Sequence, residues 1–199
     1  MPPPPLHDRG DVLAYCVGEL TRAVADPEHP WHWPALATTR PGVRVVVLRG
    51  FHRRDRPTVR FFTDLRSAKT EELSAAGGAC ELLFYHGRHR TQLRLSGTAV
   101  PLDDVASRRA LWEAQSPRAR RHYATDLAPG TILPEADHGR PPGLAESGGE
   151  RHLEGAFPHF GVYDVAVARV DFLLLGHDGQ LRCRWGGVWE EGELAWVTP

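Results

Sequence analysis

The stretch FFTDLRSAK, residues 61–69, places a guanidinium, two hydroxyls and the chain's single lysine within a few residues of one another. Residues 57–63 are β-branched and aromatic and read as a strand, while Ser67 followed by Ala68, Glu71, Glu72 and Leu73 reads as a capped helix start running to about Ala76. Lys69 then falls in the first helical turn. A helix N-terminus already carries about half a positive charge and several unpaired N–H groups, so a cation there costs a few tenths of a kcal/mol to about 1 unless an anion shares the site. Arg66, Ser67, the open N–H groups and Lys69 together make a phosphate cradle on a strand-to-helix turn. A solvated surface lysine is the competing reading.

Other strand-like segments also carry polar side chains. Arg44 and Arg49 bracket the apolar Val45, Val46, Val47 and Leu48; Gln92 and Arg94 open another run; Arg182 and Arg184 alternate near the end. On a half-buried strand such arginines ordinarily form the wet face. The turn HGRHR, residues 86–90, has two histidines three apart, but no third ligand is visible and no metal is expected. No catalytic base stands out. His159 is the histidine worth testing, with packing as its plainer explanation.

These groups need a scaffold to position them. The chain has 199 residues, 41% hydrophobic and 25% charged, which suffices for one sizeable core, and residues 11–199 read as a single domain. A net charge of −1 gives no global attraction to nucleic acid or an acidic membrane, so any anion site must be local. No apolar run approaches the roughly 20 residues that span a bilayer, and the opening MPPPPLHD lacks a signal-peptide pattern, so a cytoplasmic location is expected. Cys16, Cys80 and Cys183 are odd in number, far apart and in apolar stretches, and are expected as buried thiols.

Residues 1–10, with four consecutive prolines, are expected as a disordered tail. Val12, Leu13, Cys16, Val17, Leu20 and Val24 recur at helical spacing over residues 11–25, with Asp11 as the expected N-cap. The aromatic residues of the Pro-rich link 29–33 are expected to pack rather than bind. Strands are expected at 43–49 and 58–63 as one hairpin, at 80–85 and 91–100 as another, and then at 161–168, 170–175, 181–185 and 194–197. Residues 103–124 read as one or two helices, with Asp103 capping and Pro117 opening the second segment, and 127–159 as a long loop. Hairpin-joined strands without alternating βαβ units or GxGxxG point to an antiparallel barrel with flanking helices.

In chain order, Arg44-x-x-x-Leu48-Arg49, Phe61-Phe-Thr-Asp-x-Arg-Ser-x-Lys69, Cys80-Glu-Leu-Leu-Phe-Tyr85 and Gln92-Leu-Arg-x-x-Gly97 resemble the core of the pyridoxamine 5′-phosphate oxidase-like FMN-binding proteins. The resemblance covers residues 40–115, resumes at Pro158-His-Phe-Gly-Val162, and runs through Val170-Asp-Phe172 to Leu181-Arg-Cys-Arg184. It implies a mainly β fold, an antiparallel Greek-key split β-barrel, forming a homodimer with FMN in the clefts between subunits. It also implies Lys69 as a phosphate ligand with Ser67 and Arg66 as neighbours, and Arg44 at the phosphate and ribityl end. The backbone of Val45, Val46, Val47 and Leu48 would lie along the flavin, with Arg49 and Phe62 beside it. Thr63 would hydrogen-bond the flavin, Gln92 would reach its ring or ribityl chain, and Arg184 would be a late FMN contact.

Departures from the family pattern bear on the chemistry. Ala68 stands where some members have a second basic residue in the phosphate turn, and Leu173 where a Trp covers the flavin. The true oxidases grip their substrate's phosphate with Tyr, Arg and Ser at places that here hold Trp112, Ser116 and Arg120; a late substrate arginine and histidine are matched by Gln180 and Arg182. The run LWEAQSPRAR, 111–120, resembles instead an uncharacterised FMN-binding branch. The expectation is an FMN-dependent oxidoreductase acting on an unidentified small molecule. Authentic pyridoxamine phosphate oxidase activity is one alternative, and a non-catalytic module holding flavin, haem or a deazaflavin is another. No nucleic-acid or membrane partner is expected.

Overall fold

The computed structural model describes residues 6, 8–39, 42–53, 56–137, 139, 153–176, 179–186 and 192–199; the expectations for 1–5 and for the middle of the 127–159 loop lie outside them. Among the described residues nine strands form one sheet: β1 (Ala35–Thr38), β2 (Gly42–Val45), β3 (Leu48–His52), β4 (Thr58–Asp64), β5 (Ala79–His86), β6 (Thr91–Pro101), β7 (Phe160–Leu175), β8 (Gln180–Gly186) and β9 (Ala195–Val197). Their order is β2-β1-β5-β6-β7-β4-β3, with β8 also on β7 and β9 on β8, and the described pairings are antiparallel. β4 lies beside β7 rather than beside β5, which is a Greek-key return.

β7 is the spine. One of its edges pairs with β6 from Tyr163 to Leu174. The other is divided: β4 takes the first half, from Asp64↔Phe160 to Thr58↔Ala166, and β8 takes the second, from Arg169↔Gly186 to Leu175↔Gln180. That division makes the curled sheet a split barrel. The register between β6 and β7 shifts at Ser96/Gly97, where a Cβ on Gly97 would stand 2.2 Å from the Ala166 carbonyl oxygen, so only glycine permits the approach.

Helices α1 (Arg9–Ala25), α2 (Ala68–Ala75), α3 (Val105–Glu113) and α4 (Pro117–Arg120) flank the sheet. The main core joins Val12, Cys16 and Leu20 of α1 to Trp31, Leu36, Phe84, Leu93 and Phe172. A second cluster gathers Trp112, Phe157, Phe160 and Val162, with Tyr123 against it. Cys16, Cys80 and Cys183 are buried free thiols, as expected. Among the described residues no helix is long and apolar enough to cross a membrane.

Five expectations need correction. The first helix begins at Arg9 with Asp8 as its cap, accepting from Asp11 N–H at 3.0 Å, and Leu6 is buried in the core, so residues 6 and 8–10 do not belong to a tail. The strand expected at 43–49 is two strands: β2 pairs with β1, a register that Val46 N–H extends by donating to the Pro34 carbonyl at 2.9 Å, and from Leu48 the chain pairs with β4 as β3. An unbroken VVVL run shows no periodicity that could mark the break. The segments 161–168 and 170–175 are one strand, and α3 is capped by Asp104 rather than Asp103.

Trp112 is fully buried and touches Tyr123, Phe157 and Phe160. Trp112→Ala should lower unfolding free energy by about 3–5 kcal/mol, read from a urea titration with unchanged slope.

Candidate functional site

At the end of β4 the chain turns through Leu65 and Arg66 into α2. Ser67 occupies the N-cap, yet its hydroxyl makes no capping bond. It donates instead to the Asp64 carbonyl at 2.7 Å and stands 3.2 Å from Thr63 Oγ1. Lys69 folds back over both hydroxyls, with Nζ 2.9 Å from Thr63 Oγ1 and 3.0 Å from Ser67 Oγ. The ammonium is half-buried and has no carboxylate partner among the described residues. Burial, then the neighbouring Arg44, pushes its pKa below the ordinary lysine value; Asp64 and Glu72 only partly offset this. A positive charge is thus held at the positive end of a helix whose first N–H groups lack a side-chain cap.

Arg44 reaches the same neighbourhood from β2. Its guanidinium donates to Glu72 Oε2 at 2.6 Å, to Thr38 Oγ1 at 2.9 Å and to the Gly42 carbonyl at 3.1 Å. Gly42 makes this possible, because a Cβ there would lie 2.6 Å from the guanidinium. Glu72 therefore occupies the face of Arg44 that an anion would use. Arg66 is held more firmly: it donates to both Asp64 carboxylate oxygens and to the Thr125 carbonyl and hydroxyl, at 2.8 to 3.1 Å. It braces the turn.

Arg49 and Phe62 belong to the neighbouring second cluster. The guanidinium lies 5.7 Å from the Phe62 ring centroid, and Phe62 packs edge-on against Phe160. Val46 and Leu48 point into the core, while Val45 is exposed. His159, expected as a histidine to test, stands 3.0 Å from the Tyr123 carbonyl and closes that cluster. Trp112 is its centre, Ser116 caps α4 on Ala119 N–H, and Arg120 donates to the Gln115 and Glu113 carbonyls.

Gln92 and Arg184 stand apart. Thr63 pairs with Gly161 at the start of β7, whereas Gln92 pairs with Leu173 and Arg184 with Asp171 near its end, contours of roughly 33–40 Å away at strand rise. Register places Val45, Ala35, Leu83, Arg94, Asp171 and Arg184 in one row on the outer face of the sheet. Asp171 accepts from Arg182 at 2.8 and 2.9 Å and from Arg184 at 2.8 Å; burial pushes its carboxyl up, but the two guanidiniums outweigh that and hold it below the usual range. A cleft of about 440 Å³ opens here, lined by Glu81, Arg94, Ser96, Asp171, Arg184 and Trp185 among others. Register alone leads to this row, and sequence reasoning missed Glu72 and Asp171, the carboxylates that hold the arginines.

Residues 18–103 match the family model described as pyridoxamine 5′-phosphate oxidase, FMN-binding domain. The chain has the split-barrel fold of the pyridoxamine 5′-phosphate oxidase-like proteins, and residues 18–103 are similar to their FMN-binding domain. Among solved structures it is similar to a pyridoxamine 5′-phosphate oxidase-related, FMN binding protein from Nostoc punctiforme, with 23% identity over 100% of both chains and a TM-score of 0.69. PhzG from Burkholderia lata, solved with tetrahydrophenazine-1-carboxylic acid, gives 21% identity over 98% of this chain and 94% of that one, TM-score 0.66. A protein related to general stress protein 26 from Clostridium acetobutylicum gives 12% identity over 88% and 95%, TM-score 0.54. These likenesses extend the shared fold beyond residue 103. No curated protein matches the chain.

A half-buried cation without a counter-ion burdens the unliganded fold. Lys69→Met, which keeps the side-chain length and lets the Thr63 and Ser67 hydroxyls bond each other, should leave the ligand-free protein equally stable or more stable by up to about 1 kcal/mol in thermal unfolding. A large loss would show that the ammonium is a structural tie.

Proposed function

We propose that the protein binds FMN and acts as a flavin-dependent oxidoreductase on a small molecule, as a homodimer. One observation carries the reading: the Lys69 ammonium, without a carboxylate partner among the described residues, stands with two hydroxyls at an uncapped helix start. A phosphate dianion supplies the negative charge and acceptors this place lacks. Lys69, Thr63, Ser67 and the first N–H groups of α2 would hold it. Arg44 would join by exchanging Glu72 for the phosphate. Arg66 keeps the turn in shape through Asp64. Because the Val46 and Leu48 side chains enter the core, the backbone of Val45, Val46, Val47 and Leu48, with Phe62 and Arg49 beside it, is what this segment offers a flavin.

Bound FMN would supply the exchange of hydride or electrons with the substrate, so the chain need not provide an acid or base of its own. What the residues do is hold the phosphate and shield the site. The places that would grip a pyridoxamine substrate's phosphate have structural work instead: Trp112 in a core, Ser116 as a cap, Arg120 on a helix end. This favours a different small molecule from that of the authentic oxidases.

The separation of the two groups of residues supports the homodimer. Gln92 and Arg184 would reach the flavin from a second copy. The outer face offers the surface for it, since Val43, Val45 and Tyr85 are more than half exposed and Leu83 is 37% exposed beside them.

Purified protein should carry, or take up and retain through desalting, a chromophore with flavin bands; bleaching by NADH, NADPH or a metabolite, with recovery in air, would establish turnover. A haem spectrum, or refusal of FMN, would overturn the reading, and brisk oxidation of pyridoxamine phosphate would restore the authentic oxidase. Lys69→Ala should weaken FMN binding by about 1–3 kcal/mol with the fold intact, measured by flavin fluorescence. Leu83→Glu should yield a monomer in sedimentation that loses FMN at the same time; a persistent dimer would misplace the interface.

A further inference from the structure

A second polar cluster lies at the end of β7 remote from Thr63, where the β5–β6 turn meets α1. Glu19 of α1 is 1% exposed and His86 6%; with the half-buried His89 they bring one oxygen and two ring nitrogens within 4.8 Å of one another. We propose that these three residues bind a divalent transition ion of the zinc class, with His29 orienting the carboxylate.

The donor set is one carboxylate and two imidazoles, the combination of three-ligand zinc sites that leave a position for water, and it favours zinc, copper or nickel over magnesium or calcium. His29 fixes the carboxylate. Its Nδ1 accepts the Trp31 backbone N–H at 3.1 Å, so its proton sits on Nε2, which donates to Glu19 Oε2 at 2.9 Å. This is the outer hydrogen bond that ligating carboxylates use. Arg22 pairs with the other carboxylate oxygen but is largely exposed and can swing to solvent.

His86 Nε2 lies 4.0 Å from Glu19 Oε2, and its ring stacks on His89 at 3.7 Å between centroids. The buried His86 ring is tied to its own turn. Its Nδ1 now accepts the His89 backbone N–H at 3.1 Å. Taking an ion on Nε2 moves the ring proton to Nδ1 and gives up that bond. Bond lengths near 2.0–2.1 Å also require the donors to close to roughly 3.3 Å apart. These adjustments, and the tilt that must open the His86–His89 stack so that both nitrogens face one ion, fall on a turn whose Gly87, Arg88 and Arg90 are exposed, while Tyr15, 3.0 Å from both His89 Nδ1 and Thr91 Oγ1, anchors its far side.

The test uses tag-free, chelator-stripped full chain titrated with Zn²⁺ by calorimetry and with Co²⁺ by visible absorption. One ion per chain is expected, with an intense tetrahedral Co²⁺ band. His89→Ala and Glu19→Gln should lose the ion, at least ~100-fold in affinity, and His29→Ala should weaken it roughly 10–100-fold. The exposed His122→Ala should change nothing, and His89→Ala should keep whatever flavin the wild type keeps, which separates this site from the one at Lys69. Failure of the wild type to take up one Zn²⁺ per chain, or undiminished uptake by His89→Ala, would overturn the proposal. Should Glu19→Gln not fold, His89→Ala and the wild-type Co²⁺ spectrum decide.

Discussion

An ammonium taken partly out of water must be compensated, and at Lys69 the protein supplies dipoles of the wrong sort. Two hydroxyls accept from it, but α2 presents its positive end and Arg44 adds a second cation nearby. The arrangement makes physical sense as one half of an ion pair whose other half arrives from solution. Glu72 and Asp64 hold the two flanking arginines in place, and neither reaches Lys69 itself. Binding and folding therefore pull in opposite directions at this turn, a familiar trade at functional sites.

The rest of the fold serves to place that turn. β7 is long enough to carry two partners on one edge, so β4 and β8 sit in line rather than side by side. The gap between them splits the barrel. Gly97 lets β6 follow β7 through the bend, and the second core, built on Trp112 and Phe160, fixes the end of β4 from which the turn to α2 departs. Arg66 ties this turn to Thr125 beyond α4.

Much of this was legible in the sequence. The TDLRSAK turn, the helix it opens and both arms of the β5–β6 hairpin follow from β-branched and aromatic runs, N-cap chemistry and the placement of Lys69. What stayed hidden depends on partner exchange or distance. Nothing in Val45 to Leu48 says that the chain changes strand partners there. β1 is four residues of mostly small side chains, which lack a strong strand signal. Glu19 lies more than sixty residues before His86 in the chain, so the His86–His89 pair looked short of a ligand that only the docking of α1 supplies. Arg66 was expected at a phosphate on residue type and Arg44 through the family resemblance; the carboxylates that hold them, Glu72 and Asp64, could be recognised only in three dimensions.

The most direct test compares FMN with riboflavin, which differ only in the phosphate, by fluorescence titration of the flavin-free protein. If Lys69, Thr63, Ser67 and the open end of α2 form a phosphate site, FMN binds at least ~100-fold more tightly than riboflavin, as expected for two or more charge-assisted contacts. Equal affinity for the two would contradict the account.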